Sequence, residues 1–413
     1  MGGTVHQRSV VRVGASLIVA SLALTACGSR SGDTTGGGSS GGTKTAKIGV
    51  IAPLSGNLSE LGLGIKHSVE LAVKQANDAG AIPGWKLEVA AQDDEGKADV
   101  GKNAATSLAS DADVIGVVGT LNTDVAQQVQ PILAPKQIVQ VSPANTGPGL
   151  TQGADWLTSP KRPYPTYFRT CTTDAVQGPF AARYLYETAK ITKVATIHDK
   201  RAYGQGLVGT FTAEFTKLGG QVVAAETISE DETNYSAVIS AIKPSAPQAL
   251  YYGGQYPEAG PLSQQMKAAG LNIPLMGGDG IFDAKFITLA GKTSNNDVAT
   301  SVGAPVDALP SAKKFVADYA AQNYKEPYAA YGGYSYDAAN AIINALKVSL
   351  KDAKDVQSAR QATVDAVAKV TFDGVTGKVA FDQYGDTTSK VLTVYKVQDG
   401  KWATVQTKEF ETK

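Results

Sequence analysis

At 413 residues the chain is too long for one ordinary domain and long enough for two, each able to bury a core. Its 38 Lys and Arg balance 38 Asp and Glu, so no basic surplus points to nucleic acid or to an anionic membrane surface, and a small solute suits this balance better. With 2 Cys and 3 His, a disulfide framework and histidine-based catalysis have little to draw on.

The chain opens as a secretory signal over residues 1–26. Arg8 and Arg12 precede an apolar stretch, residues 13–26, that falls short of the ~20 residues a membrane span needs and ends in small residues. The tetrad "LTAC", residues 24–27, resembles the bacterial lipobox, which implies that Cys27 takes a diacylglyceryl group and becomes the mature N-terminus. Residues 27–44 are rich in Gly and Ser and read as a flexible tether with a mean reach of about 20–25 Å. These features place the folded body on the outer face of the cytoplasmic membrane, attached through lipid alone. Cys171 is then the only remaining thiol. Its context "YFRTCTTD" has no His nearby in sequence, and it is expected to be a small buried residue.

From Lys47 strand and amphipathic helix alternate. "KIGVIAPL" reads as a strand and "GIKHSVELAVKQANDAG" as a helix, with Ile65, Val69, Ala72 and Val73 on one face and Gly80 as its stop. "WKLEVAAQDD", "DVIGVVG" and "QIVQVSP" are further strands, separated by the helices "DVGKNAATSLAS" and "TDVAQQVQPILAP". This is a run of βαβ units, hence a parallel sheet with helices on both faces. After the Tyr/Pro-rich passage "SPKRPYPTYFRTCTTD" a second series begins: the strands "KVATIHD", "QVVAAETI", "ALYYGG" and "IPLMGG" alternate with three helices. Three more helical segments follow, and "KVAFDQYGD" with "KVLTVYKV" is expected to close as a strand pair. Two similar α/β lobes with trailing helices suggest that the chain crosses between lobes more than once.

Enzymatic motifs find little support. "GLGIKH" lacks the third glycine of a dinucleotide loop and lies about ten residues beyond the strand end, so it reads as a plain helix start. Asp93, Asp94 and Glu95 have no further ligand at metal spacing and read as helix caps. His198 and Asp199 are adjacent on a strand and point to opposite faces, and no GxSxG elbow is present. No catalytic residue, metal ligand or cofactor is expected.

What remains is a set of strand tips, where open α/β sheets hold their ligands. Thr123 can present a hydroxyl beside free N–H groups at a helix N-terminus, a seat for a carboxylate, although a plain cap by Thr123 or Asp124 is equally open. "PANT" adds the Ala144 backbone and the Thr146 hydroxyl at the neighbouring tip. In the second series "GGDG" sets Asp279 beyond a strand, between glycines that permit close approach, where an acid can meet an ammonium. Asp283 is better placed than Asp279 to cap the next helix. Tyr203 and Gln255 stand at the other tips, an aromatic wall and an amide suited to a small organic body.

With these loops the chain resembles the leucine/isoleucine/valine-binding proteins, the solute receptors of branched-chain amino acid ABC transporters. The markers are "SPANT", "FRTCTTDAVQGP", "IHDKRAYGQG", "YYGGQYPE" and "LMGGDG". The resemblance implies a type I periplasmic-binding fold, α/β, with two doubly wound parallel-sheet lobes joined by a three-strand hinge. Lobe 1 would comprise residues 45–172 and 303–384, lobe 2 residues 173–302 and 385–413, with crossovers near 172, 302 and 384. It also implies that Thr123, Ala144 and Thr146 bind the ligand carboxylate, that Asp279 and Tyr203 bind its α-ammonium, and that the partners are ABC permease subunits. Gln255 stands where that family often has Tyr, Leu61 replaces a usual aromatic, Asp279 replaces Glu, and Gly96 and Asn122 lie near the places of an absent cysteine pair. The expectation is therefore a monomeric, lipid-anchored receptor for a small amino acid of branched-chain type, not an enzyme. The rival readings are a sensor of the same fold for an amide or urea-like solute, and a secreted hydrolase.

Overall fold

The computed structural model describes residues 42–411, which fall in one compact unit. The signal segment, Cys27 and the tether as far as residue 41 lie outside the described residues. Among those described, no helix is long and apolar enough to cross a membrane.

The first five strands are β1 (Lys44–Ala52), β2 (Trp85–Asp93), β3 (Val114–Gly119), β4 (Val139–Ser142) and β5 (Tyr167–Arg169). They form one parallel sheet in the order β2-β1-β3-β4-β5. Its connections hold α1 (Ser59–Asp78), α2 (Ala98–Ser110), α3 (Thr123–Leu133) and the short α4 (Gly149–Gln152). β3 and β4 are buried along their whole length, as expected of strands covered on both faces. In α1 the apolar positions Ile65, Val69, Ala72 and Val73 are all buried, and Gly80, at φ +56°, lets the chain reverse. The helix begins at Ser59, five residues before the expected start. Gly62 and Gly64 mask that start because glycine is a poor helix former, yet packing demands it. A Cβ at Gly62 would lie 1.9 Å from the Pro53 carbonyl oxygen, and one at Gly64 2.6 Å from that of Tyr328.

The chain then enters a second sheet through α5 (Asp174–Arg183), β6 (Lys193–His198), α6 (Ala202–Lys217), β7 (Gln221–Thr227), α7 (Ser236–Ile242), β8 (Ala249–Gly253), α8 (Tyr256–Ala268), β9 (Leu275–Gly277), α9 (Ala284–Ala290) and β10 (Val298–Val302). Three helices follow: α10 (Lys313–Ala321), α11 (Gly332–Ser349) and α12 (Val356–Val367). α11 and α12 return to the first sheet, where the Arg360 guanidinium donates to the Val114 carbonyl on β3. The last strands are β11 (Thr371–Gly374), β12 (Gly377–Ala380), β13 (Val391–Gln398) and β14 (Lys401–Glu409). The second sheet runs β14-β13-β10-β9-β8-β6-β7, with β6 to β10 parallel and β13 antiparallel to both its neighbours.

The terminal pairing differs from expectation. β12 pairs with β11 in a small two-stranded sheet, and β13 pairs with β10 and β14. The strands β5, β10, β11 and β14 and the helices α4 and α5 are further elements that the sequence pattern does not announce. β5 lies in a Pro-rich passage, β10 carries Thr300 and Ser301 in its centre, and β14 is a partly exposed polar edge, so none shows a clean apolar period.

In both sheets the strand order reverses at one place, between β1 and β3 in the first and between β6 and β8 in the second. A crevice opens beyond the carboxyl ends of the strands at such a switch point.

Candidate functional site

Four loops leave the switch points: residues 53–58 after β1, 120–122 after β3, 199–201 after β6 and 254–255 after β8. They face one another. Arg201 donates to both carboxylate oxygens of Asp124 at 3.0 and 3.1 Å, to the Gly96 carbonyl at 2.6 Å and to Glu230 at 3.0 Å. Tyr256 donates to the Asn57 carbonyl, and Lys285 pairs with Glu60 at 3.2 Å. The two sheets thus stand closed over the crevice.

Inside lies a network of buried polar groups. Asp279, in a 3-10 turn after β9, accepts from Tyr203 and Gln177 on Oδ1 and from Tyr331 on Oδ2, each at 2.8 Å. The Gln177 amide also donates to Asp174 at 3.1 Å, and its oxygen accepts from the Asp279 N–H and the Thr300 hydroxyl, both at 3.0 Å. Thr146 donates its hydroxyl to Asp174 at 3.0 Å and accepts the Asp174 N–H on its carbonyl. Two carboxylates are therefore buried side by side and share one amide. Burial pushes the Asp174 carboxyl up to about 7, with the Asp279 charge adding to the effect, and burial raises Asp279 as well. Arg169 is felt at Asp174 but is committed to Asp386 at 2.6 Å.

The opposite end of the crevice is a donor surface. Asn122 precedes α3 without a side-chain cap, and the first N–H of this helix to reach back, that of Ala126, meets the Asn122 carbonyl. The Thr123 hydroxyl has no hydrogen-bond partner among the described residues, and neither Thr123 nor Asp124 caps the helix; Asp124 is held by Arg201. Gly147 packs on Thr123, where a Cβ would lie 2.6 Å from its methyl group, so the Thr123 and Thr146 tips are in contact. Ala144 sits in the same turn, its N–H directed at the Ser142 hydroxyl at 3.2 Å.

The structure thus joins Tyr203 to Asp279 directly and links Thr146 to them through Asp174 and Gln177. The Thr146 hydroxyl spends its proton on Asp174, so it offers an acceptor on the acidic side, and only its N–H remains for an anion. Gln255 stands apart from this network. It lines a cavity of about 180 Å³ between the loops after β1, β6 and β8. A wider groove of about 690 Å³, lined by Phe282, Tyr395 and Trp402 among others, contains none of the six expected residues.

Asp174, Gln177, Tyr331 and Arg201 were not singled out by sequence. Asp174 and Gln177 do show a signal in retrospect, an i, i+3 polar pair in the first turn of an otherwise buried helix. The other motifs resolve simply. Asp93 and Asp94 do not cap α2: Asp93 accepts from Leu54, Ser55 and Glu95, and Asp94 from the Gly96 N–H. His198 and Asp199 serve separate turns, accepting from the N–H groups of Lys200 and Arg201. Asp283 caps α9. Cys171 is buried, its thiol directed at the Asn145 carbonyl, and burial raises its pKa out of the reactive range.

A family model for periplasmic binding proteins matches residues 45–401. The Leu/Ile/Val-binding protein homolog 3 of Brucella melitensis is 31% identical over 361 residues, 86% of this chain and 92% of that protein. Among solved structures, the leucine-binding protein LivK of Thermotoga maritima is 26% identical with a TM-score of 0.77, covering 88% of this chain and 98% of its own. The branched-chain amino acid transporter substrate-binding protein LivJ of Streptococcus pneumoniae, solved with isoleucine, is 27% identical with a TM-score of 0.77, covering 88% and 99%.

Proposed function

This chain belongs to the periplasmic binding protein family and has its type I fold, and from that premise we propose that it captures a small α-amino acid between its two sheets and hands it to an ABC transporter permease. The observation that carries the reading is the pair of buried carboxylates, Asp174 and Asp279, joined through Gln177 with no cation among the described residues committed to them. An α-ammonium supplies the missing charge, and its geometry is ready: Asp279 and the Thr146 oxygen accept, while the Tyr203 and Tyr331 hydroxyls hold Asp279 in place. The ligand carboxylate then falls to the uncapped N-terminus of α3, with the Thr123 hydroxyl and the Thr146 N–H, while the Ala144 N–H is held by Ser142. The relatives' names supply branched-chain amino acids as the first class to test.

The same reading assigns residues 45–172 and 303–384 to one lobe and 173–302 and 385–413 to the other, moving about the three crossings. The protein works as a monomer outside the cytoplasmic membrane, held there by lipid on Cys27, and releases its solute chemically unchanged.

Calorimetry tests the ammonium clasp, using whichever of leucine, isoleucine, valine and glutamine binds the parent best. Loss of one partner of a buried charge pair costs ~2–5 kcal/mol, so Asp279→Asn weakens binding by about two decades or more; a single hydrogen bond to a charged group is worth ~1.5–3 kcal/mol, so Thr146→Val costs about one to two decades. If Asp279→Asn binds as tightly as the parent, no ammonium sits there, and an uncharged amide or urea-like solute takes its place.

A further inference from the structure

We infer that the solute's side chain ends in an amide or ureido group rather than a branched alkyl group, and that Gln255 reads it. This rests on the α-amino-acid reading and extends it to the part of the ligand beyond the main-chain anchors.

The first support is position. The cavity of about 180 Å³ has room for far more than a single water, which needs only about 10–15 Å³. It lies where the two switch points face each other, between the loops after β1 on one side and after β6 and β8 on the other. It also adjoins the anchors. Gln255 follows Gly254, whose carbonyl would lie 2.7 Å from a Cβ at Gly280, the neighbour of Asp279. On the other flank Arg201 grips Asp124, the neighbour of Thr123. A side chain leaving an amino acid held at Asp279 and Thr123 has this cavity beside it.

The second support is chemistry. Leu58 and Pro257 are the apolar side chains of the lining, and the rest is polar or glycine. A branched alkyl group would strip water from those polar groups and give nothing back. Gln255 is only 8% exposed, and its side-chain amide has no hydrogen-bond partner among the described residues. It is an uncommitted donor and acceptor on the cavity wall. Around it acceptors predominate: Asp199 and Glu258 are buried carboxylates, whereas Arg201 is engaged by Asp124 and Glu230, and Lys97 by Glu95. The ligand group must therefore bring N–H donors to these oxygens. It must also bring a carbonyl for the N–H of Gln255, which a guanidinium or ammonium lacks. Amide and ureido ends carry both.

The test is calorimetry on the full chain with L-glutamine, L-citrulline, L-leucine, L-isoleucine, L-valine, L-arginine and L-lysine. Glutamine or citrulline is expected to bind at least about tenfold tighter than leucine, since a site built for hydrogen bonds rejects an analogue lacking them. In Gln255→Leu that preference is expected to shrink by about tenfold or more, through weaker glutamine or citrulline binding and stronger leucine binding. The rank order of the parent stands on its own if the variant fails to fold. Tightest binding by leucine, isoleucine, valine, arginine or lysine overturns the inference and leaves amino-acid capture intact. Binding of none of the seven overturns both.

Discussion

Asp174 ties ligand capture to pH. Its folded pKa of about 7 lies above the unfolded value of ~3.9, so between these limits the folded state holds the extra proton. Without ligand, the group's contribution to stability is full below ~4 and is lost as pH rises toward 7. An ammonium favours the ionised carboxylate and reverses that preference. We therefore predict that affinity rises as pH increases from 5 to about 7.5 and that binding below 7 expels a proton. Calorimetry in two buffers of different ionisation enthalpy reads the proton directly, and Asp174→Asn should flatten the profile; a parent profile already flat would sink the idea. Asp279 and Tyr203 could be read in the sequence because strand tips flanked by glycine announce themselves. Asp174 and Gln177 left only the faint trace of an i, i+3 polar pair and Tyr331 none, since Gln177 and Tyr331 reach Asp279 from 102 and 52 positions away and Asp174 joins it only through Gln177.

β5 was lost among prolines, yet its last residue organises the loop that follows β4. Arg169 donates to the carbonyls of Asn145 and Gly147 at 2.9 Å, on either side of Thr146, and also binds Thr151 and Asp386. The loop's shape thus depends on a guanidinium from the neighbouring strand. Replacing one partner of such a buried pair leaves the other charge unpaired, at ~3–5 kcal/mol. Arg169→Met should lower the melting temperature and weaken ligand binding together, as thermal denaturation and calorimetry would show; unchanged affinity in a folded variant would mean the loop holds its own shape. The helices and central strands were legible because buried parallel strands and amphipathic helices have distinct periods. Edges and caps were not, because β14 and the start of α1 answer to neighbours distant in sequence.

At the scale of the whole molecule, Arg201 is the conspicuous bridge across the crevice. It is mostly buried, joins elements of both sheets and touches none of the buried anchor network. Arg201→Met should leave each sheet folded and weaken ligand affinity about three- to tenfold, because ion pairs of partial exposure contribute ~1 kcal/mol. Small-angle scattering with and without ligand is the check: the variant is expected to be more open without ligand and to close with it, and scattering identical to the parent's would deny Arg201 a part in closure. The three chain crossings have a consequence of another kind. β10 must find β13, and the Gly303 carbonyl beside it accepts from Thr393, 90 residues later. The loop bearing Thr146 likewise waits for Asp386, 217 residues after Arg169. A chain delivered amino end first would spend much of its emergence with an open strand edge and an unpaired guanidinium, so the newborn protein is at greatest risk of mispairing just before its last few dozen residues arrive.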